Sequence, residues 1–389
     1  MSRPPPSRSI MRPAIATCAG LAAAYYLIAV RRKPTLRHSH TPLNAEVVRR
    51  LSILHEPYTP PVWAFNAWVQ LAVILARMKR AKKETPFTRT VLTAPDGGSV
   101  GIDVLEDDSL PVTAPVLVLC QTITGLSREH VQLAIAARKL GWRTAVCVRR
   151  GHLGTPLTAA RVNLLGCTAD LRLQIDAISS RYPGAPLLGV GISAGSGLLV
   201  RYLGEEGPRS KMAAAAALYP GYNTAPSTVP GKGNAFDRMA GPADKQITAS
   251  LKRFFLRHDI LRPVPGYEAV LAAPTIAAYQ AAAYALEGYE SVEAMYEKTN
   301  PMAVADNIRT PMLVLNAEDD PVCVWQNVVD NLHIFDGPHD RLLVSTSHGS
   351  HCAHLEGMLW PAKLGWHERL ALEYLQTVLA IRAEQAAPA

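Results

Sequence analysis

Residues 189 to 197 read Gly189-Val190-Gly191-Ile192-Ser193-Ala194-Gly195-Ser196-Gly197, and two incompatible patterns fit them. From Gly189 the run satisfies G-x-G-x-x-G/A, in which backbone amides and a helix N-terminus hold a dinucleotide pyrophosphate. From Gly191 it satisfies G-x-S-x-G, the sharp strand-to-helix turn that exposes a nucleophilic serine. Both need a strand before and a helix after, and "PLLGVGI" and "AGSGLLVRYLGEE" supply them. A dinucleotide site also needs an acid about 20 positions on, at the end of the next strand, to hold the ribose. "AAAAALYPGYN" ends without one. An elbow serine needs an acid and then a histidine, each after a later strand. "PMLVLNAEDDPV" supplies Asp319 and Asp320, and "STSHGSHCAHLEG" supplies His348, His351 and His354. Ser193 therefore reads as a nucleophile.

The pattern around this stretch gives the fold class. Short apolar runs at 90–94, 101–105, 116–120, 144–148, 187–192, 213–218, 312–315 and 342–345 read as strands. "PDGG" joins the first two as a hairpin, and helical patterns separate the rest from Val116 onward. That order predicts an α/β fold with a mostly parallel central sheet and helices on both faces. The stretch between Leu218 and Met312 is too long for a crossover and predicts an inserted helical cap over about 222–305. Within it, "APTIAAYQAAAYALEGY" predicts an apolar lid helix.

The 389 residues carry a net charge of +8, unevenly spread. Residues 1–89 hold 15 Lys and Arg against the three acids Glu46, Glu56 and Glu84, and the remainder is mildly acidic. A nucleic-acid binder carries its basic charge on the folded domain, so nucleic acid is not expected as a partner. Ala14 to Val30 has no charge and lies between Arg12 and Arg31-Arg32-Lys33. As a helix it would reach about 25 Å, close to the thinner bilayers. It predicts a single N-terminal membrane anchor, with a cleaved signal or an organelle transit peptide as alternatives. Basic flanks on both sides leave the orientation open, and the endoplasmic reticulum or an imported organelle location both fit. Residues 1–45 then form anchor and basic linker, and 46–389 the catalytic domain. "ILARMKRAKK" (74–83) reads either as an amphipathic face for an anionic bilayer or as an exposed basic turn. The six cysteines are scattered and mostly in apolar runs, which predicts no disulfide framework.

Taken together, "LHEPYTPPVW", "APDGG", "TITGLSREH", "LGWRTAVCVRRG", "GISAGSGLLVRYLGEEG", "LVLNAEDDPV" and "HGSHCAHLEG" resemble the membrane-anchored α/β-hydrolase-domain proteins of the AB hydrolase superfamily type 4. That group includes monoacylglycerol lipases, phospholipase-like members and ethyl ester synthase/esterases. The resemblance runs from about residue 55 to the end. It implies the nucleophile Ser193, the acid Asp320 in the D-D-P element, and the base His351 in H-G-x-H. It also implies an oxyanion hole from the backbone N–H groups of Ile123 and Ala194. Two departures stand out: Ala67-Trp68-Val69-Gln70-Leu71 replaces Gly-His-x-Gln-Thr, and Gln121-Thr122 replaces the Pro-Gly or His-Gly before the oxyanion loop.

From the residues alone, either Asp319 or Asp320 could be the acid. Pro321 favours an extended or turn backbone at 320, leaving Asp319 to serve the loop, for example as an Asx-type cap. "HGSHCAH" fits no standard zinc spacing, so no metal and no cofactor are expected, and His348 and His354 read as loop or wall residues. Of Arg149 and Arg150, one is expected to bond neighbouring loops, with a phosphate or headgroup contact as the alternative. The expected activity is hydrolysis of lipid-like carboxylic esters through an acyl-enzyme. Acyl transfer to an alcohol is the alternative, and a silent membrane-tethered binding protein is a third reading.

Overall fold

The computed structural model describes residues 8–80, 86–123, 125, 130–165, 167–226 and 233–386. Among the described residues nine strands form one sheet: β1 (Thr35–His38), β2 (Thr88–Thr93), β3 (Ser99–Leu105), β4 (Val116–Cys120), β5 (Arg143–Val148), β6 (Leu187–Ile192), β7 (Met212–Leu218), β8 (Met312–Ala317) and β9 (Arg341–Thr346), in the order β1-β9-β8-β7-β6-β4-β5-β3-β2. From β9 to β5 all neighbours are parallel, while β1, β3 and β2 join antiparallel. This is the α/β-hydrolase arrangement that the alternating pattern predicts.

The central strands are apolar throughout because both faces are covered. Leu117, Leu119, Leu188 and Val190 pack on one face, and Val116, Val118, Cys120 and Leu187 on the other. Helices α1 (Arg8–Tyr25), α2 (Pro42–Arg50), α3 (Ala67–Arg80) and α4 (Val131–Lys139) precede α5 (Thr168–Arg181) and α6 (Ala194–Glu206). The cap holds α7 (Gly241–Phe255), α8 (Tyr267–Ala272), α9 (Ile276–Ala282) and α10 (Val292–Thr299), followed by α11 (Trp325–Val329) and α12 (Trp366–Ala386). Residues of α2, α4 and α12 join the first core layer, and those of α5 and α6 the second. The cap has its own apolar cluster around Phe254, Phe255 and Tyr279, closed against Ile123, Val162 and Leu164.

Three expectations change. The sheet begins at Thr35, because β1 pairs with β9 from Thr35↔Ser345 to His38↔Leu342. The boundary expected at residue 45 therefore falls inside the folded body. The lid helix expected over 273–289 shortens to the seven residues of α9, capped by the Thr275 hydroxyl, which accepts from Ala278 N–H. Lastly, among the described residues no helix is long and apolar enough to cross a membrane. Much of the segment 14–30 is helical, but its end is a π-turn over Tyr26–Val30 that docks onto the body. Tyr26 and Val30 are buried, the Tyr26 hydroxyl donates to the Pro60 carbonyl, and Tyr25 and Tyr26 lie against Phe65. The segment 74–83 is helical to Arg80, and Lys82 and Lys83 lie outside the described residues.

Candidate active site

Ser193 sits between β6 and α6 at φ 54°, ψ −121°, a region that a residue with a side chain rarely enters. The flanking glycines make that turn possible. A Cβ on Gly191 would lie 2.5 Å from the Gly195 carbonyl oxygen, and one on Gly195 would lie 2.1 Å from the Cys120 carbonyl oxygen. Both contacts are with backbone, which cannot swing aside. The spacing of glycines around Ser193 thus follows from how tightly the elbow packs against β4.

The sheet brings the other predicted residues to the same edge. β4 ends at Cys120, leading to Ile123; β8 ends at Ala317, leading to Asp320; β9 ends at Thr346, leading to His351. His351 Nε2 is 2.8 Å from Ser193 Oγ, and His351 Nδ1 is 2.8 Å from Asp320 Oδ2. Asp320 Oδ1 accepts the N–H groups of Val322 (2.7 Å) and Cys323 (2.9 Å). The carboxylate is therefore fixed at both oxygens, with one of them aimed at the imidazole. Asp319 turns away and its Oδ1 accepts Ser350 N–H at 2.8 Å. The Asx-type cap expected of Asp319 is made by Asp320 itself, and Asp319 instead ties its loop to the His351 loop.

Ala194 opens α6, so its N–H is an orphan donor at the positive end of the helix dipole. Ile123 lines both cavities that meet at Ser193. Arg149 is buried beneath this loop and donates to the carbonyls of Thr122 (2.6 Å) and Gln121 (2.7 Å). Burial lowers its pKa to about 10. Arg150 forms a two-pronged pair with Asp170 and a further bond to Asp96. Both guanidinium groups are thus committed to protein partners, and the phosphate contact considered for them does not fit.

The three histidines of the 348–354 loop have separate surroundings. His348 lies against Phe65 and 3.5 Å from Asp319. His354 is fully buried between the Tyr219 hydroxyl (2.5 Å from Nδ1) and Thr346 Oγ1 (2.7 Å from Nε2). Thr346 donates its own proton to the His348 carbonyl, so it accepts from His354 Nε2–H, while Tyr219 donates to Nδ1. Burial holds His354 well below the usual imidazole range, in keeping with this neutral form. The Tyr219 ring in turn lies 5.6 Å from that of His351. Tyr219 escapes sequence reasoning, although its place directly after β7, at the same sheet edge, is a usable signal.

The donor atoms of Asp320, Cys323 and His351 lie within 4.8 Å of one another, the one such group among the described residues. Both carboxylate oxygens already accept hydrogen bonds, and burial with the nearby Asp320 charge pushes the Cys323 thiol well above its usual range. A protonated thiol and an engaged carboxylate make a poor chelate.

Two cavities flank the serine. One of about 60 Å³ is walled by Phe236, Met239, Ile276 and Tyr222; the other, about 360 Å³, runs between α3, α7 and the 351–368 loop. Its walls include Leu71, Ile74, Leu75, Met78, Ile247 and Val322.

No family model matches the chain. Phospholipase ABHD3 of Bos taurus is 25% identical over 376 residues, covering 92% of this chain and 87% of that protein. Embryogenesis-associated protein EMB8 of Picea glauca is 26% identical, with 86% and 75% covered. Monoacylglycerol lipase ABHD2 of Mus musculus is 24% identical, with 89% and 85% covered. Among solved structures, 2,6-dihydroxy-pseudo-oxynicotine hydrolase matches 80% of this chain and 74% of its own at 13% identity, with a TM-score of 0.46. The sheet order and the elbow are those of the α/β-hydrolase fold, and near full-length similarity to these relatives supports an ester-hydrolysing enzyme built on it.

Proposed function

We propose that the chain hydrolyses acyl esters of lipid-like molecules through an acyl-enzyme on Ser193. The observation that carries this reading is the unbroken relay from Asp320 Oδ2 to His351 Nδ1 and from His351 Nε2 to Ser193 Oγ, 2.8 Å at each step. As Oγ bonds to the ester carbonyl carbon, His351 takes its proton, and Asp320 stabilises the imidazolium. The negative charge on the former carbonyl oxygen accepts from Ile123 and Ala194 N–H. Each such donor is worth about 3 kcal/mol in the transition state. Collapse breaks the C–O bond, and the alcohol leaves with the proton from His351. A water molecule, deprotonated by His351, then attacks the acyl carbon and releases the acid, and Ser193 regains its proton.

A lipid substrate is supported by the apolar walls of the larger cavity and by relatives named phospholipase and monoacylglycerol lipase. The exposed Leu21, Tyr25, Leu27 and Ile28 of the N-terminal segment, followed by Arg31-Arg32-Lys33, suit contact with a membrane surface. Fatty-acid release from monoacylglycerol and from lysophospholipid in detergent micelles tests the reading. The native chain should release acid from at least one and Ser193→Ala from neither; equal release by both would overturn it.

A further inference from the structure

The geometry points to a membrane-contacting surface on the folded body, beside the docked end of the N-terminal segment, through which the larger cavity takes its substrate directly from an anionic phospholipid bilayer. This rests on the lipid-ester reading above and adds the surface from which the lipid is drawn. Trp63, Trp68 and Trp360 are 49%, 43% and 83% exposed, and Val62, Met358 and Leu359 beside them are exposed too. Residues 59–63 and 357–360, nearly 300 positions apart in the chain, are bonded into one face, and Trp68 stands exposed on α3 five residues beyond Trp63. Val62 N–H donates to the Met358 carbonyl (2.8 Å), Gly357 N–H to the Thr59 carbonyl (3.0 Å), and the Trp63 indole N–H to the Leu359 carbonyl (2.7 Å). Arg77 of α3 completes the strap by donating to the carbonyls of Pro361 and Ala362 (3.1 Å each).

A monomer has little reason to hold three tryptophans in water, and contiguous apolar patches of this kind mark interaction surfaces. Tryptophan in particular favours the boundary between lipid headgroups and acyl chains, where its ring is buried and its polar edge stays wet. The charge of the neighbouring chain selects the occupant. Arg31, whose side chain donates to Thr59, and Arg32, Lys79, Arg80 and Lys363 are all exposed around this face. Of the acids close in sequence, Glu356 is held by Arg369 and Glu46 by Arg49 and Arg50, while Glu368 is buried with its carboxylate accepting Gly365 N–H, and Glu56 is exposed. An excess of basic groups around apolar rings complements an anionic bilayer.

The face is also placed for delivery. Helix α3 presents Trp68 and Val69 outward, while Leu71, Ile74, Leu75 and Met78 of the same helix line the cavity that reaches Ser193. Lys363 and Gly365, just past the Trp360 loop, line the same cavity. A lipid moving from the bilayer along α3 would therefore meet apolar walls on the way to the nucleophile.

Tryptophan emission reports on the folded body, because the six tryptophans are Trp63, Trp68, Trp142, Trp325, Trp360 and Trp366, none of them before residue 63, and the Trp360 variant below separates this face from the adjoining N-terminal segment. The full chain is mixed with vesicles of phosphatidylcholine containing a minority of phosphatidylserine, with and without brominated acyl chains. Strong quenching by the brominated lipid is expected. Trp360→Glu, at a site too exposed to unfold the chain, should lower vesicle partitioning at least tenfold and hydrolysis of vesicle-borne lipid in step. Hydrolysis of a soluble short-chain ester by that variant should stay within twofold. Absent quenching, unchanged partitioning of Trp360→Glu, or a Trp360-dependent dimer in lipid-free buffer would each overturn the proposal. Quenching without ester hydrolysis by the native chain would leave the surface standing and remove the lipid-hydrolase reading. Micellar hydrolysis without quenching would do the reverse.

Discussion

Asp319 and Asp320 are adjacent, yet one holds a loop and the other an imidazole. Asp320→Asn keeps the shape of the site but cannot hold the histidine in the tautomer that accepts the serine proton. Turnover should fall by up to about 10⁴-fold, read as kcat on a soluble ester. Asp319→Asn should leave kcat within a few-fold and cost about 1 kcal/mol of stability through the weakened bond to Ser350 N–H. Arg149 acts one step further back, holding two carbonyls of the oxyanion loop. Arg149→Lys cannot span both. If the loop then loses one oxyanion donor, kcat should drop by about 10²-fold, with KM little changed. The order of serine, acid and histidine is legible in the sequence because it depends only on motifs at strand ends. That one of Arg149 and Arg150 bonds neighbouring loops is legible as well, but which of the two, and the work of Tyr219, is not, since it depends on which groups lie within 3 Å after folding.

Among elements, the β6–α6 elbow is the most sharply constrained. Gly195→Ala would drive a methyl group into the Cys120 carbonyl, and Gly197→Ala would meet nothing nearer than Pro301 at 3.9 Å. The first should cost more than about 4 kcal/mol or prevent folding. The second should change stability by about 1 kcal/mol at most, with helix propensity in its favour. Urea denaturation of the two variants separates these outcomes, and equal stability would mean that the elbow is not packed as described. Strands β4 to β9 are legible because burial on both faces writes a mostly apolar run, and β2 and β3 because strand-forming residues flank the "PDGG" turn, although β2 itself is largely exposed. β1 is not: "TLRH" is four residues long at the sheet edge, with Arg37 paired to Asp336 at the surface, and charge on an edge strand hides it from an apolar search. In the N-terminal segment the part that packs on the body is hidden for the opposite reason. Its composition reads as lipid-facing throughout, while Tyr26 and Val30 are taken up by the protein's own surface.

For the whole molecule, buried ionisable groups set the pH range of stability. Burial lowers His130 and His152 to about 4 and His367 to about 3, and holds His354 well below 6.5. The stability tied to these neutral imidazoles is complete above about 6.5. It is lost as pH falls, because the unfolded chain then binds protons that the folded chain refuses. Glu287 and Glu368, raised by burial to about 7, act the other way and favour folding as pH drops from 7 to 4.5. Four histidines outweigh two carboxyls of similar shift. Tm should therefore fall on acidification from pH 7 to 4.5, and a Tm that rises over this range would contradict the assigned burial.

The proposed chemistry turns on one oxygen atom, Ser193 Oγ. The most direct measurement is peptide mapping by mass spectrometry after the full chain reacts with a fluorophosphonate, which bonds to a serine only where a base removes its proton. The adduct should appear on the peptide containing Ser193 and on no other, at a rate that falls steeply when His351 is replaced by Ala. An unlabelled Ser193, or labelling that survives loss of His351, would contradict the claim that the elbow, Asp320 and His351 form one catalytic unit.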